Sequence, residues 1–220
     1  MTFATTLRLS LCGAAISAAL GLTACSNNAT DPAVNADDSA NNDKPAKTLA
    51  ITQIVEHPSL DEMRRGIIDE LADNGYAEGQ NLTVNFQSAQ GNTATAGQIA
   101  KQFAGDNPDA IVAISTPSAQ SVVASTKTVP VIYTAISDPV AAKLIDENDV
   151  PIQTNVTGLS SELPIEPQLD NIQKIVPNVK TIGYVYSPGE ANSVVVLKQL
   201  EKAAPTRGLK ILGVTANRPT

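Results

Sequence analysis

Hydroxyls and carboxylates crowd into four short stretches of this chain, each containing a proline: Glu56-His57-Pro58-Ser59, Ser115-Thr116-Pro117-Ser118, Ser137-Asp138-Pro139 and residues 187–193 (SPGEANS). Such groups hold a small polar molecule by hydrogen bonds and charge. Catalysis needs more than this. His57 is the only histidine, so a histidine metal cluster and a pair of acid–base histidines are both excluded, and His57 itself reads as a mouth-lining or structural residue. A serine hydrolase of the α/β type would want a Gly-x-Ser-x-Gly elbow, and none exists here. The nucleotide-phosphate signatures Gly-x-x-x-x-Gly-Lys-Ser/Thr and Gly-x-Gly-x-x-Gly are missing too. The residues favour binding without chemistry, with no catalytic residue, no cofactor and no metal.

Ser115 and Thr116 precede Pro117, which suits the first position of a helix, so the free backbone N–H groups there could hold a carboxylate. Simple N-capping is the alternative. Asn192 or Ser193 could cap another helix in the same way. Asp138 and Glu190 offer carboxylates that suit a ligand ammonium, or else are solvated loop charges. An α-amino acid, with one charge of each sign, matches this division of donors and acids.

The elements that must position these groups alternate. An apolar strand at 49–55 is followed by a helix with Leu60, Met63, Ile67, Ile68 and Leu71 on one face and Gly75 as its stop. Residues 82–86 form a second strand; Ala96, Ile99, Ala100 and Phe103 stripe a second helix. Residues 110–114 are a short, continuously apolar strand of the kind covered on both faces. A helix at 117–125, a strand at 131–134 and the start of a short helix at 140–145 come next. The stretch 152–158 reads as a crossing segment, after which a helix carrying Leu169, Ile172, Ile175 and Val176, a strand at 181–186, a helix from Asn192 and a strand at 210–214 restart the alternation. This pattern predicts an α/β fold of doubly wound parallel sheets with right-handed crossovers in two lobes, four strands in the first. Ligands of such sheets bind outside the carboxyl ends of the strands, where all four polar stretches fall. The expected division is a first α/β lobe at 48–150 and the start of a second at 151–220, incomplete as a lobe, for which a fragment is the simplest explanation.

The 220 residues carry 42% hydrophobic and 17% charged side chains and a net charge of −7, which suits a globular fold and argues against a nucleic-acid partner. Residues 1–24 read as a secretory signal: Arg8, then an apolar run over 9–22, shorter than the roughly 20 residues of a membrane span. Leu22-Thr23-Ala24-Cys25 matches a bacterial lipobox, so Cys25 is the expected lipidation site; a plain signal peptide that happens to hold a cysteine is the alternative. Cys12 would leave with the signal, so no disulfide is expected. Residues 25–47, rich in Asn, Asp and Ala, read as the lipidated cysteine and a disordered tether. The place this implies is the bacterial cell envelope, outside the cytoplasm, on a membrane anchor with the affinity that two or three acyl chains give.

The segments 51–60 (ITQIVEHPSL), 75–82 (GYAEGQNL), 113–120 (AISTPSAQ), 135–140 (AISDPV) and 187–193 (SPGEANS), in this order, resemble the substrate-binding proteins of ABC transporters of the tryptophan/tyrosine-type uptake systems. The resemblance implies a type I periplasmic-binding-protein fold whose two lobes close on a small solute, an amino acid that is often aromatic, and deliver it to an ABC permease. It also implies that Ser115, Thr116, Ser118, Ser137, Asp138, Glu190, Asn192 and Ser193 contact the ligand. Tyr133 and Tyr186 are candidate ring partners or ordinary core. Pro205 departs from expectation, because it falls late in the last helix, where proline disrupts an interior turn. A sensory or structural envelope lipoprotein using the same lobes to contact a protein partner is the rival reading, and an envelope hydrolase ranks last.

Overall fold

The computed structural model describes residues 44–216, so the signal segment, Cys25 and most of the expected tether lie outside the described residues. Strand β1 (Lys47–Gln53) begins earlier than the sequence suggests. Two lysines fix its entry: Lys44 Nζ lies 4.8 Å from the centre of the Tyr76 ring and donates to Asn74 O, and Lys47 Nζ sits 2.7 Å from Asp109 Oδ1.

Strands β1, β2 (Leu82–Ser88), β3 (Ala110–Ile114), β4 (Val131–Ile136) and β5 (Val156–Ser160) make one parallel sheet in the order β2-β1-β3-β4-β5. Parallel neighbours need crossovers, and the first three are α1 (Pro58–Asp73), α2 (Thr93–Asp106) and α3 (Thr116–Ser125), while β4 and β5 are joined through the turns of 137–155. The inner strands are apolar on both sides because helices lie on both faces. Ala50, Ile111 and Ala113 pack with Ala96, Phe103 and Val122 of α2 and α3. Leu49, Ile51, Val112 and Ile114 pack under Leu60, Met63, Ile67 and Leu71 of α1.

Two expectations are corrected. The sheet has five strands instead of four, because part of the supposed crossing segment at 152–158 is the start of β5, paired in parallel with β4 through Tyr133 and Gly158. Residues 140–145 form no helix. One turn closes there, Ala142 N donating to Asp138 O and Leu144 N to Pro139 O, but Lys143 takes a φ of 58°, which ends helical propagation, and Ile145 then bridges to Pro151.

The alternation then resumes with α4 (Ile165–Ile175), β6 (Thr181–Tyr186), α5 (Ala191–Ala203) and β7 (Lys210–Thr215). Strands β6 and β7 pair in parallel, and one face carries a small core of Leu169, Val196, Leu200 and Ala204. On the other face Val185, Leu212 and Val214 are exposed. Pro205 does not disrupt α5. The helix stops at Ala203, and Pro205 sits early in a 3₁₀ turn (Ala204–Arg207), closed by Gly208 at a φ of 66°. Arg207 ties this turn to α4 through Asp170, 3.0 Å away, and through Glu166.

Candidate functional site

In the five-stranded sheet the strand order reverses between β1 and β3, which places a crevice at their carboxyl ends. The loop after β3 is the most constrained piece of backbone there. Ser115 has φ 86° and ψ 155°, a region populated almost only by glycine, at a cost of about 1–3 kcal/mol. Its N–H donates to Thr134 O and its carbonyl accepts from Ala119 N, so the strained residue is fixed from both sides. Although Ser115 is the N-cap of α3, its side chain makes no capping bond, and its Oγ is buried without a partner. Thr116 and Ser118 follow, 2% and 0% exposed, and Ser118 Oγ is also buried and unpartnered. The first N–H groups of a helix have no intrahelical acceptor, and Pro117 has none to offer. The start of α3 is therefore a buried, partially positive set of donors.

Strand β4 delivers the next two candidates through an irregularity. The β4–β5 register shifts between Tyr133 and Ile136, and Ala135 in between has a φ of 58°. Bulges of this sort re-aim the residues that follow. Ser137 Oγ is buried with no partner, while Asp138 accepts from Ala141 N at 2.8 Å and so stabilises the turn with one carboxylate oxygen.

The remaining candidates gather at the carboxyl end of β6. Glu190 is the N-cap of α5, yet its carboxylate makes no capping bond. Asn192 Oδ1 is buried without a partner, and Ser193 Oγ accepts from Ser187 N at 2.9 Å, closing the loop on itself. The candidates thus fall into two groups on two sheets: Ser115, Thr116, Ser118, Ser137 and Asp138 on the first, Glu190, Asn192 and Ser193 on the second.

The ring candidates differ. Tyr133 is 4% exposed within the core on the α2 and α3 side, where burial first, and Asp149 second, push its hydroxyl pKa up; it is a core residue. Tyr186 is half-buried at the end of β6 and stacks on Tyr184, ring centres 6.4 Å apart. His57 is exposed and caps α1, its Nδ1 accepting from Ser59 N at 3.3 Å. Among the described residues no group of three or more His, Cys, Asp or Glu side chains could hold a metal ion. A surface cavity lined by Glu162, Ile165, Lys202 and Thr206 lies at the C-terminal end of α5, the opposite end of that helix from the β6 loop.

One residue at this crevice escapes sequence reasoning. Gln53, the last residue of β1, is 0% exposed. Its Nε2 donates to Val55 O at 3.1 Å and to Asp61 Oδ1 at 2.9 Å, and its Oε1 is buried with no partner. Asp61 in turn lies 3.5 Å from Arg64, whose guanidinium covers the Phe86 ring at 4.2 Å. The available signal was the polar pair Thr52-Gln53 ending an apolar strand at the switch point.

Comparison with known proteins adds a family. Residues 48–219 match the family described as ABC transporter substrate binding protein. A tyrosine-binding protein of Clostridioides difficile is 39% identical over 191 residues, covering 87% of this chain and 55% of the relative. The crystal structure of a conserved domain protein from Vibrio cholerae is 50% identical with a TM-score of 0.75, over 79% of this chain and 58% of the other. A Streptococcus structure described as an ABC domain in complex with L-Trp is 36% identical with a TM-score of 0.73, over 78% and 57%. The chain thus spans a little more than half the length of these relatives.

Proposed function

Because this chain belongs to the ABC transporter substrate-binding proteins, a family of binding proteins and not of enzymes, we propose that it captures an α-amino acid at the strand ends described above and hands it to an ABC permease. The fold is α/β, of the type I periplasmic-binding-protein kind. The observation that carries the proposal is the start of α3: a strained Ser115 and two buried hydroxyls without partners at the positive end of a helix, where the first N–H groups lack intrahelical acceptors, which together suit a carboxylate. Asp138 and Glu190 bring the opposite sign. An aromatic side chain is the favoured specificity, supported by the tyrosine and tryptophan named for the relatives and by Tyr186 at the end of β6. The working place is outside the cytoplasm, with a lipid on Cys25 as the anchor.

The chain contains no tryptophan, so the fluorescence of L-tryptophan itself reports its binding without background from the protein. Titration should give saturable binding of L-tryptophan, competed by L-tyrosine. Thr116→Ala should weaken it by about 1–3 kcal/mol, as a buried ligand oxygen loses a partner. Absence of binding to every amino acid, or full affinity in Thr116→Ala together with Ser118→Ala, sinks the proposal. For the anchor, Cys25→Ser should release the protein from membranes; a substituted protein that still pellets after a high-salt wash refutes lipidation.

A further inference from the structure

The carboxyl end of β1 is as rich in acceptors as the start of α3 is in donors. Gln53 is fully buried, and its amide orientation is fixed by chemistry: the NH₂ end meets two acceptors, Val55 O and the Asp61 carboxylate, so the oxygen end faces away from both. That oxygen is a buried acceptor without a protein donor, a cost of about 1–3 kcal/mol where no partner is supplied. Three residues on, the Glu56 carboxylate is exposed and is steadied by Gln90 Nε2 at 2.8 Å, with Ala89 N further tying the β2 loop to Gln53 O. Among the described residues no salt bridge reaches Glu56, and Arg64 pairs with Asp61. Gln53 is the direct register partner of Ile114, the residue before Ser115, so the acceptor end and the donor end sit on adjacent strands.

We propose that the end of β1 is an ammonium subsite, in which Gln53 Oε1 and the Glu56 carboxylate accept from the charged amine of the solute while the start of α3 holds its carboxylate. The inference rests on the amino-acid reading above and narrows it. Both charges of the zwitterion are read by neighbouring strands of one lobe, with the loop of 54–57 yielding to admit the amine to Gln53. Asp138, one of whose carboxylate oxygens accepts from Ala141 N, and Glu190 then add negative charge around the amine without being its direct acceptors.

The test is a cycle between protein and ligand variants, measured calorimetrically on the whole chain. The ligands are L-tyrosine and its desamino analogue 3-(4-hydroxyphenyl)propionate. The variants are Gln53→Met, which keeps the shape and removes the acceptor, and Glu56→Gln, an exposed change that does not threaten folding. Each variant should lose at least tenfold in affinity for L-tyrosine and less than twofold for the desamino analogue. Equal losses on both ligands in both variants would mean that the β1 end only shapes the site, and no loss would mean that the amine lies elsewhere; either overturns the subsite alone. If the wild-type chain binds neither L-tyrosine nor any other amino acid, the amino-acid reading falls and the subsite falls with it.

Discussion

Gly158→Ala is the most severe small change that the first sheet can suffer. Gly158 lies opposite Tyr133 across the β4–β5 pair, and a Cβ built on it would come closer than 3.0 Å to Tyr133 O, Cγ and Cδ2. The ring could swing away only by leaving a core position that is 4% exposed. The carbonyl oxygen cannot swing at all, so β5 must separate from β4. Overpacking costs about 1–3 kcal/mol when side chains can adjust, and a backbone obstacle puts this case at the upper end, about 3 kcal/mol. For a protein of this size that is roughly 6–12 °C in Tm. Circular dichroism on heating and in urea measures it, with tyrosine fluorescence as a second probe because the chain has no tryptophan. Gly66→Ala is the internal control: it lies within α1 with nothing within 4 Å of its would-be Cβ, so it should stabilise by about 0.5–1 kcal/mol. A Gly158→Ala midpoint within about 1 °C of wild type would refute the steric argument.

Three further outcomes are expected. Ala135→Gly should be neutral or stabilise by up to about 1 kcal/mol in a urea titration, because φ 58° strains alanine, against which glycine loses more unfolded-state entropy. Ser115→Gly should relieve about 1–3 kcal/mol of strain, raising Tm while leaving the far-ultraviolet circular dichroism unchanged; a fall in Tm would mean that the buried hydroxyl makes a compensating contact. The Asp109 carboxyl is held below its ordinary value of 3.8 by the hydrogen bond from Lys47 first and the Thr48 N–H second. Its contribution to stability is therefore present above that ordinary value and lost as pH falls through the lowered one. An NMR titration should place Asp109 below 3.8, and Asp109→Asn should flatten the acid limb of the stability curve there.

Much of the fold was legible because burial dictated composition. Strand β3 is five consecutive apolar residues and β6 alternates, so both are found at their true limits. Strand β5 was missed for a physical reason. Its sequence, VTGLS, lacks an apolar run, and its place is set by Gly158 letting the strand approach Tyr133, a tertiary contact that no window of sequence contains. The short helix expected at 140–145 fails on one backbone angle, that of Lys143. At the site, the hydroxyls of Ser115 and Ser118 could be picked out by their loop, but not their lack of partners, which depends on what packs around them. Gln53 was invisible for the same reason: a glutamine at a strand end reads as exposed until α1 is laid over it and Asp61 takes its amide.

The position of β1 also constrains the order of assembly during synthesis. The first of the described strands to be made, β1, is an inner one, flanked by β2 and β3, so it stays half-paired until residue 114 has left the ribosome. From then on every addition is at one growing edge: β4 zips onto β3, and β5 onto β4, in the order in which they are translated. Sequential pairing of this kind lets the five-stranded sheet close before the β6–β7 segment exists, which shortens the exposure of unpaired edges that slow, non-local parallel pairing brings. A nascent chain stalled after residue 114 has emerged but before residue 131 has would therefore carry a three-stranded sheet whose β3 edge is still open, and the arrival of β4 is the step that removes this edge from reach of other chains.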